Sequence, residues 1–256
     1  MDYQSVRKKY TLYTRCAGIF AIVLILCVPL VASEFTMQTV SLLVIIVGLA
    51  LTIYLINKWY LTTVEKLLHV DLDLASWKQY IEMNKEGKRA VLRLVAATSE
   101  VSLAYMTGDF ETAIRKAEEI LNRDGLQSQF RNILQSYRIR SVVLSQPELN
   151  REELDGMIGE LTITDPTMAE KMQKMSVALY DLTIAHESND YFETLTNDYK
   201  YRQLEIIYYK AVNAAIKGDT ERATELLSQL VGEDERLYVV RMGKKLLESE
   251  VWDARV

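Results

Sequence analysis

The pattern of apolar and polar positions divides the chain into two regimes. Residues 16–33 form a run of 18 without a charge, and residues 35–57 a run of 23. As helices these reach roughly 27 and 34 Å, against a hydrocarbon core of about 30 Å. Both are expected to cross a membrane. The connection between them, near 33–39, is too short for a domain. A tight hairpin follows, because backbone in lipid must satisfy its own hydrogen bonds. Pro29 lies one turn from the end of the first span, as a helix-end proline or a gate.

Beyond residue 58 the apolar positions recur at three and four, as in Leu67, Leu68, Leu72 and Leu74, Trp77, Tyr80, Ile81. No alternating strand pattern stands out, so the expected fold class is all-α. Helices are predicted over 60–84, 87–106, 110–122, 127–144, 148–162, 166–187, 190–196, 199–216, 220–231 and 234–250. Asp165-Pro166 is a helix start, with aspartate as N-cap and proline at the first helical position. The expected organisation is a basic N-terminus (1–15), two spans (16–33 and 35–57), a juxtamembrane connector (58–87) and a helical repeat domain (88–256).

The repeat is visible in the residues. Ala104-x-x-x-Gly108-Asp109-x-x-x-Ala113 is matched by Ala214-x-x-x-Gly218-Asp219-x-x-x-Ala223. Glycine permits the left-handed geometry that stops a helix, aspartate caps the next one, and the small alanine lets paired helices approach. Weaker turns fall near Ser145-Gln146 and Ser188-Asn189-Asp190, compatible with four stacked hairpins.

This pattern resembles the tetratricopeptide repeat family. Gly108, Phe110 and Ala113 match its glycine, aromatic and alanine in order. Gly218 and Ala223 match in the second copy, where Thr220 replaces the aromatic. The consensus tryptophan is replaced by Ala97 and Ile207, and the closing proline by Gly125. The likeness covers residues 88–231. It implies an α-solenoid whose first helices line a concave partner-binding groove. That face would include Val95, Thr98, Ser102 and Tyr105 in the first copy, and Glu205, Tyr208 and Val212 in the last; core packing is the competing reading of Val95 and Val212. The terminal stripe Leu237, Val240, Leu247 and Val251 would cover the last face.

Charge changes the picture by giving it a direction. Residues 1–57 hold four basic residues (Arg7, Lys8, Lys9, Arg15) and two acidic ones (Asp2, Glu34). The remaining 26 Lys+Arg and 33 Asp+Glu give the body a net charge of -7. The positive-inside rule places both termini in the cytoplasm of a multi-pass cell-membrane protein, with Trp59 and Tyr60 as interfacial anchors. In a competing reading the first span is a signal peptide cleaved near Val31-Ala32-Ser33. The body stays cytoplasmic either way. An acidic body argues against nucleic acid as a partner, despite the patch Lys200-Tyr201-Arg202.

Candidate chemistry is sparse. There is no Walker loop, nucleophile elbow, His-Glu-x-x-His or cysteine pair outside the spans; Cys16 and Cys27 both lie in the first. His69, Asp71 and Asp73 have the residue types of a metal site, but alternate helical residues do not share a face. No cofactor, metal or enzymatic activity is expected. The expected role is a membrane-anchored cytoplasmic adaptor for a protein or peptide, with residues 16–57 in the bilayer and homo-oligomerisation compatible with it. The alternative is an accessory subunit of a larger membrane complex such as a transporter, with the hairpin as the contact element.

Overall fold

The computed structural model describes residues 2–31, 34–163 and 165–249. Among them it is helical, with no β-strand. Eleven α-helices follow in order: α1 Tyr3–Val31, α2 Phe35–Glu65, α3 Leu74–Lys85, α4 Ala90–Thr107, α5 Phe110–Leu121, α6 Ser128–Ser145, α7 Arg151–Gly159, α8 Pro166–Tyr180, α9 Lys200–Ile216, α10 Thr220–Ser228 and α11 Tyr238–Glu248. The chain divides into two compact units, Met1–Tyr80 and Ile81–Val256. The boundary therefore falls inside α3, within the connector expected over 58–87.

In the first unit α1 and α2 pack against each other along an apolar hairpin. Both are long and apolar enough to cross a membrane, and none of the apolar stretch of α2 is buried. Ile19, Phe20, Leu26, Val44 and Val47 all stand exposed. Ala32 and Ser33, and with them the cleavage-site reading, lie outside the described residues.

The helix of the first span begins 13 residues before Cys16, at Tyr3. Its N-terminal turns are anchored rather than free. Tyr3 and Val6 are fully buried. The Tyr3 amide donates to Ser76 Oγ at 3.0 Å, and that hydroxyl donates to Asp73 Oδ2 at 2.7 Å. The Tyr3 and Tyr60 hydroxyls lie 2.9 Å apart, and Tyr10 donates to Asn57 Oδ1 at 2.8 Å. Tyr13 meets Trp59 edge-on, with centroids 5.5 Å apart. These rings form a polar-aromatic collar where the apolar runs end.

The helix expected over 60–84 is broken. After α2 comes a π-helical turn, Lys66–Val70, and then Leu72 at a positive φ of 51°. A left-handed leucine costs about 1–2 kcal/mol. Burial of its side chain opposes that cost. The break also corrects the reason for dismissing a metal site at His69, Asp71 and Asp73. They do not lie on one helix. His69 meets Trp77 edge-on, Asp71 pairs with Lys66, and Asp73 caps α3. Trp77 itself is buried and donates to the Leu68 carbonyl at 2.6 Å.

The second unit is built on two near-identical turns. At the first, Gly108 (φ 82°) donates to Tyr105 O and Asp109 N–H to Ala104 O. At the second, Gly218 (φ 80°) donates to Ala215 O and Asp219 N–H to Ala214 O. Each is a Schellman closure, which satisfies the last carbonyls of the outgoing helix. The same aspartates then cap the incoming helix, accepting from Thr112 N and Arg222 N. Ala113 and Ala223 are fully buried behind the turns.

Elsewhere the boundaries shift. The helix expected over 166–187 stops at Tyr180 and gives way to a π-helical turn, Asp181–Ala185, ending at His186 with φ 54°. The helix over 190–196 is a 3-10 turn, Asp190–Thr194. The helix over 148–162 shortens to α7, started by a capping box of Asn150 and Glu153. The last stripe runs through buried Leu237 and Val240 to half-buried Leu247. Val251 lies outside the described residues. α11 packs on α9 and α10, and also on α4.

Candidate functional site

Of the seven residues expected on a concave groove, six are buried and Val95 is half-buried. Thr98 donates to Leu94 O at 3.0 Å and Ser102 to Thr98 O at 3.1 Å, so both hydroxyls are satisfied within α4. Tyr208 packs edge-on against Tyr209, with centroids 5.0 Å apart. Val212 is buried and Val95 is half-buried. The first helices of the two hairpins, α4 and α9, turn these residues inward, so the face that was expected to line a groove is closed.

The structure brings two of the seven together. The Tyr105 hydroxyl on α4 donates to Glu205 Oε1 on α9 at 2.6 Å. Arg140, on α6, reaches the same point and donates to both Tyr105 Oη and Glu205 Oε1. Arg202, one turn before Glu205, donates to its other oxygen at 2.6 Å. The Arg140 guanidinium also stacks over the Tyr105 ring, 4.4 Å from its centroid. Arg140 and Glu205 are each 1% exposed. Arg202 and Tyr137 are half-buried and carry the cluster outward, with Arg202 5.7 Å from the Tyr137 centroid.

The electrostatics follow from this geometry. Burial pushes the Glu205 carboxyl up, but Arg140 and Arg202 and the hydrogen bonds from Tyr105 and Arg202 outweigh it. The carboxyl is held below the ordinary glutamate range. Burial and Arg202 oppose the charge on Arg140, yet Glu205, Tyr105 and Tyr137 prevail and its pKa rises. Burial pushes the Tyr105 phenol well up, so it stays protonated and donating. One carboxylate therefore faces two guanidiniums. Arg140 Nε has no hydrogen-bond partner among the described residues.

This arrangement ties α4, α6 and α9 together; it holds no nucleophile activated by a base. Sequence reasoning placed Glu205 and Tyr105 on one face but missed Arg140. The available signal was a lone charge inside the apolar run Ile139-Arg140-Ser141-Val142-Val143. No group of three or more His, Cys, Asp or Glu among the described residues could hold a metal ion.

Of the other motifs, Met172 is buried while Met168 is exposed, so the methionine stripe is only partly core. Tyr201, Tyr208 and Tyr209 are buried. Lys200 pairs with Glu233 at 2.6 Å and Arg202 with Glu205, so both cations of the Lys200-Tyr201-Arg202 patch have carboxylate partners. On the outside, an open cleft of about 330 Å³ between α5, α6 and α7 is lined by Glu118, Gln135, Arg138 and Met157 among others.

Comparison of the chain with known protein families, curated proteins and solved structures finds no match.

Proposed function

We propose that the chain is a membrane-anchored cytoplasmic adaptor, with the hairpin 16–57 in the bilayer and a tetratricopeptide-like body over 88–256 that binds a protein or peptide. One observation carries the reading. A hairpin whose apolar residues are largely exposed and a well-packed helical unit with a charged exterior belong to one chain. An apolar surface of that extent is sustained by lipid or by partner helices, not by water. Anchoring confines the body to a surface and raises its effective concentration towards a partner there. Orientation rests on Arg7, Lys8, Lys9 and Arg15 before the first span and Lys58 after the second. Because Thr98, Ser102, Tyr105, Glu205 and Tyr208 are enclosed, the partner surface is sought on the outer faces, where the α5–α6–α7 cleft is open.

In-cell crosslinking followed by mass spectrometry tests the adaptor. A reproducible protein crosslinked to residues 88–256 is the expected result. Replacing residues 1–57 by an unrelated membrane anchor then separates the two roles. Retained binding supports the adaptor. Binding lost with the hairpin, or crosslinks confined to it, favours the accessory-subunit role.

A further inference from the structure

Near the collar, an open surface cleft of about 460 Å³ on α1 and α2 is lined by Lys9, Tyr13, Leu55, Ile56 and Trp59. Its chemistry is graded along the hairpin. Leu55 and Ile56 belong to the apolar run that ends at residue 57, while Tyr13 and Trp59 meet edge-on one step outward. Lys9 stands one helical turn beyond Tyr13, about 6 Å further along α1. Lys8 and Lys58 are also exposed, Arg15 lies about 9 Å from Lys9 along α1 towards the apolar run, and Asp2 accepts from Ser5 at the start of α1.

We infer that this cleft is a binding site for one anionic glycerophospholipid, its phosphate held at Lys9, its glycerol region between Tyr13 and Trp59, and an acyl chain along Leu55 and Ile56. The inference rests on the hairpin lying in a bilayer. The gradient from cation through amphipathic rings to aliphatic wall matches such a lipid group by group. A free phosphate would leave the apolar wall unused, and a peptide would have to enter the acyl layer. Lys9 is well suited because a lysine stem packs along apolar surface while its ammonium stays at headgroup level.

The test uses the full chain reconstituted in phosphatidylcholine nanodiscs doped with phosphatidylglycerol, with tightly retained lipid identified by mass spectrometry. Phosphatidylglycerol should be retained above its share of the supply. Lys9→Gln should lower that enrichment about fivefold, Lys9→Arg should preserve it, and Lys8→Gln should leave it unchanged. Equal losses for Lys8→Gln and Lys9→Gln would mean general surface attraction and overturn the site. Retention of both lipids in proportion to supply, by a chain that does enter the bilayer, overturns the site but not the anchor. A chain that fails to enter bilayers overturns the anchor, and the lipid site with it.

Discussion

Tyr105 and Glu205 are 100 residues apart in sequence and joined by a 2.6 Å hydrogen bond in the interior of the second unit. In a linear repeat array each hairpin touches only its neighbours. Here the first helices of the first and last hairpins are tied together, with Arg140 between them, and α11 also packs on α4.

Glu205→Ala should be far more damaging than a surface substitution. It leaves Arg140 buried without its carboxylate, a loss of about 3–5 kcal/mol. Urea unfolding of the detergent-solubilised chain, followed by far-UV circular dichroism, measures it. A loss comparable to that of an exposed pair such as Glu170–Lys174 contradicts the tie.

The same carboxylate predicts a pH dependence. Its pKa is depressed in the folded chain, so its stabilisation is complete above the unfolded value near 4.5 and drains away as pH falls through the lower folded value. Glu205→Gln should be less stable at neutral pH and should flatten the acid limb of the stability curve. Some slope persists, because Lys217 holds the exposed Asp190, and Arg236 the half-buried Asp234, below their usual range too. Thermal midpoints across an acidic pH series compare the two proteins.

The two glycine turns should respond unequally to alanine. Both need positive φ, which costs a residue with a side chain about 1–2 kcal/mol. At Gly218 a Cβ meets nothing within 4 Å; at Gly108 it would stand 2.9 Å from Tyr238 Cδ2 and from the Arg241 guanidinium. Gly108→Ala should therefore lower the unfolding free energy well beyond Gly218→Ala. Equal losses in denaturant titrations would refute the close contact.

Tyr209 is fully buried and its hydroxyl has no hydrogen-bond partner among the described residues, while its ring packs on Phe192 with centroids 4.8 Å apart. Tyr209→Phe keeps the packing and removes an unsatisfied polar group. The expected outcome is neutral to about 1 kcal/mol more stable. A marked fall in thermal midpoint would show that the hydroxyl is engaged.

Local signals were legible in the sequence. Gly108-Asp109 and Gly218-Asp219 carry their turn geometry in the residues themselves, as does the Asp165-Pro166 helix start. The two uncharged runs mark most of α2 and the second half of α1. Non-local relations were not legible. Arg140 on a helix reads as solvent-facing until the carboxylate 65 residues away is placed beside it. Tyr105 and Glu205 have the same helical spacing whether their face opens to a partner or closes on itself. The break after Glu65 was hidden because Lys66–Val70 keeps a helical apolar pattern, and only the buried, left-handed Leu72 reveals the change of direction.

The unbroken run of α1 from Tyr3 to Val31 has a mechanical consequence. Its 29 residues make a rod about 43 Å long, well beyond the roughly 30 Å of hydrocarbon. No hinge separates its apolar length from the turns that hold Tyr3 against Ser76. Any tilt of the rod is therefore felt at Tyr3 as a displacement against the Ser76 hydroxyl and the Asp73 cap of α3.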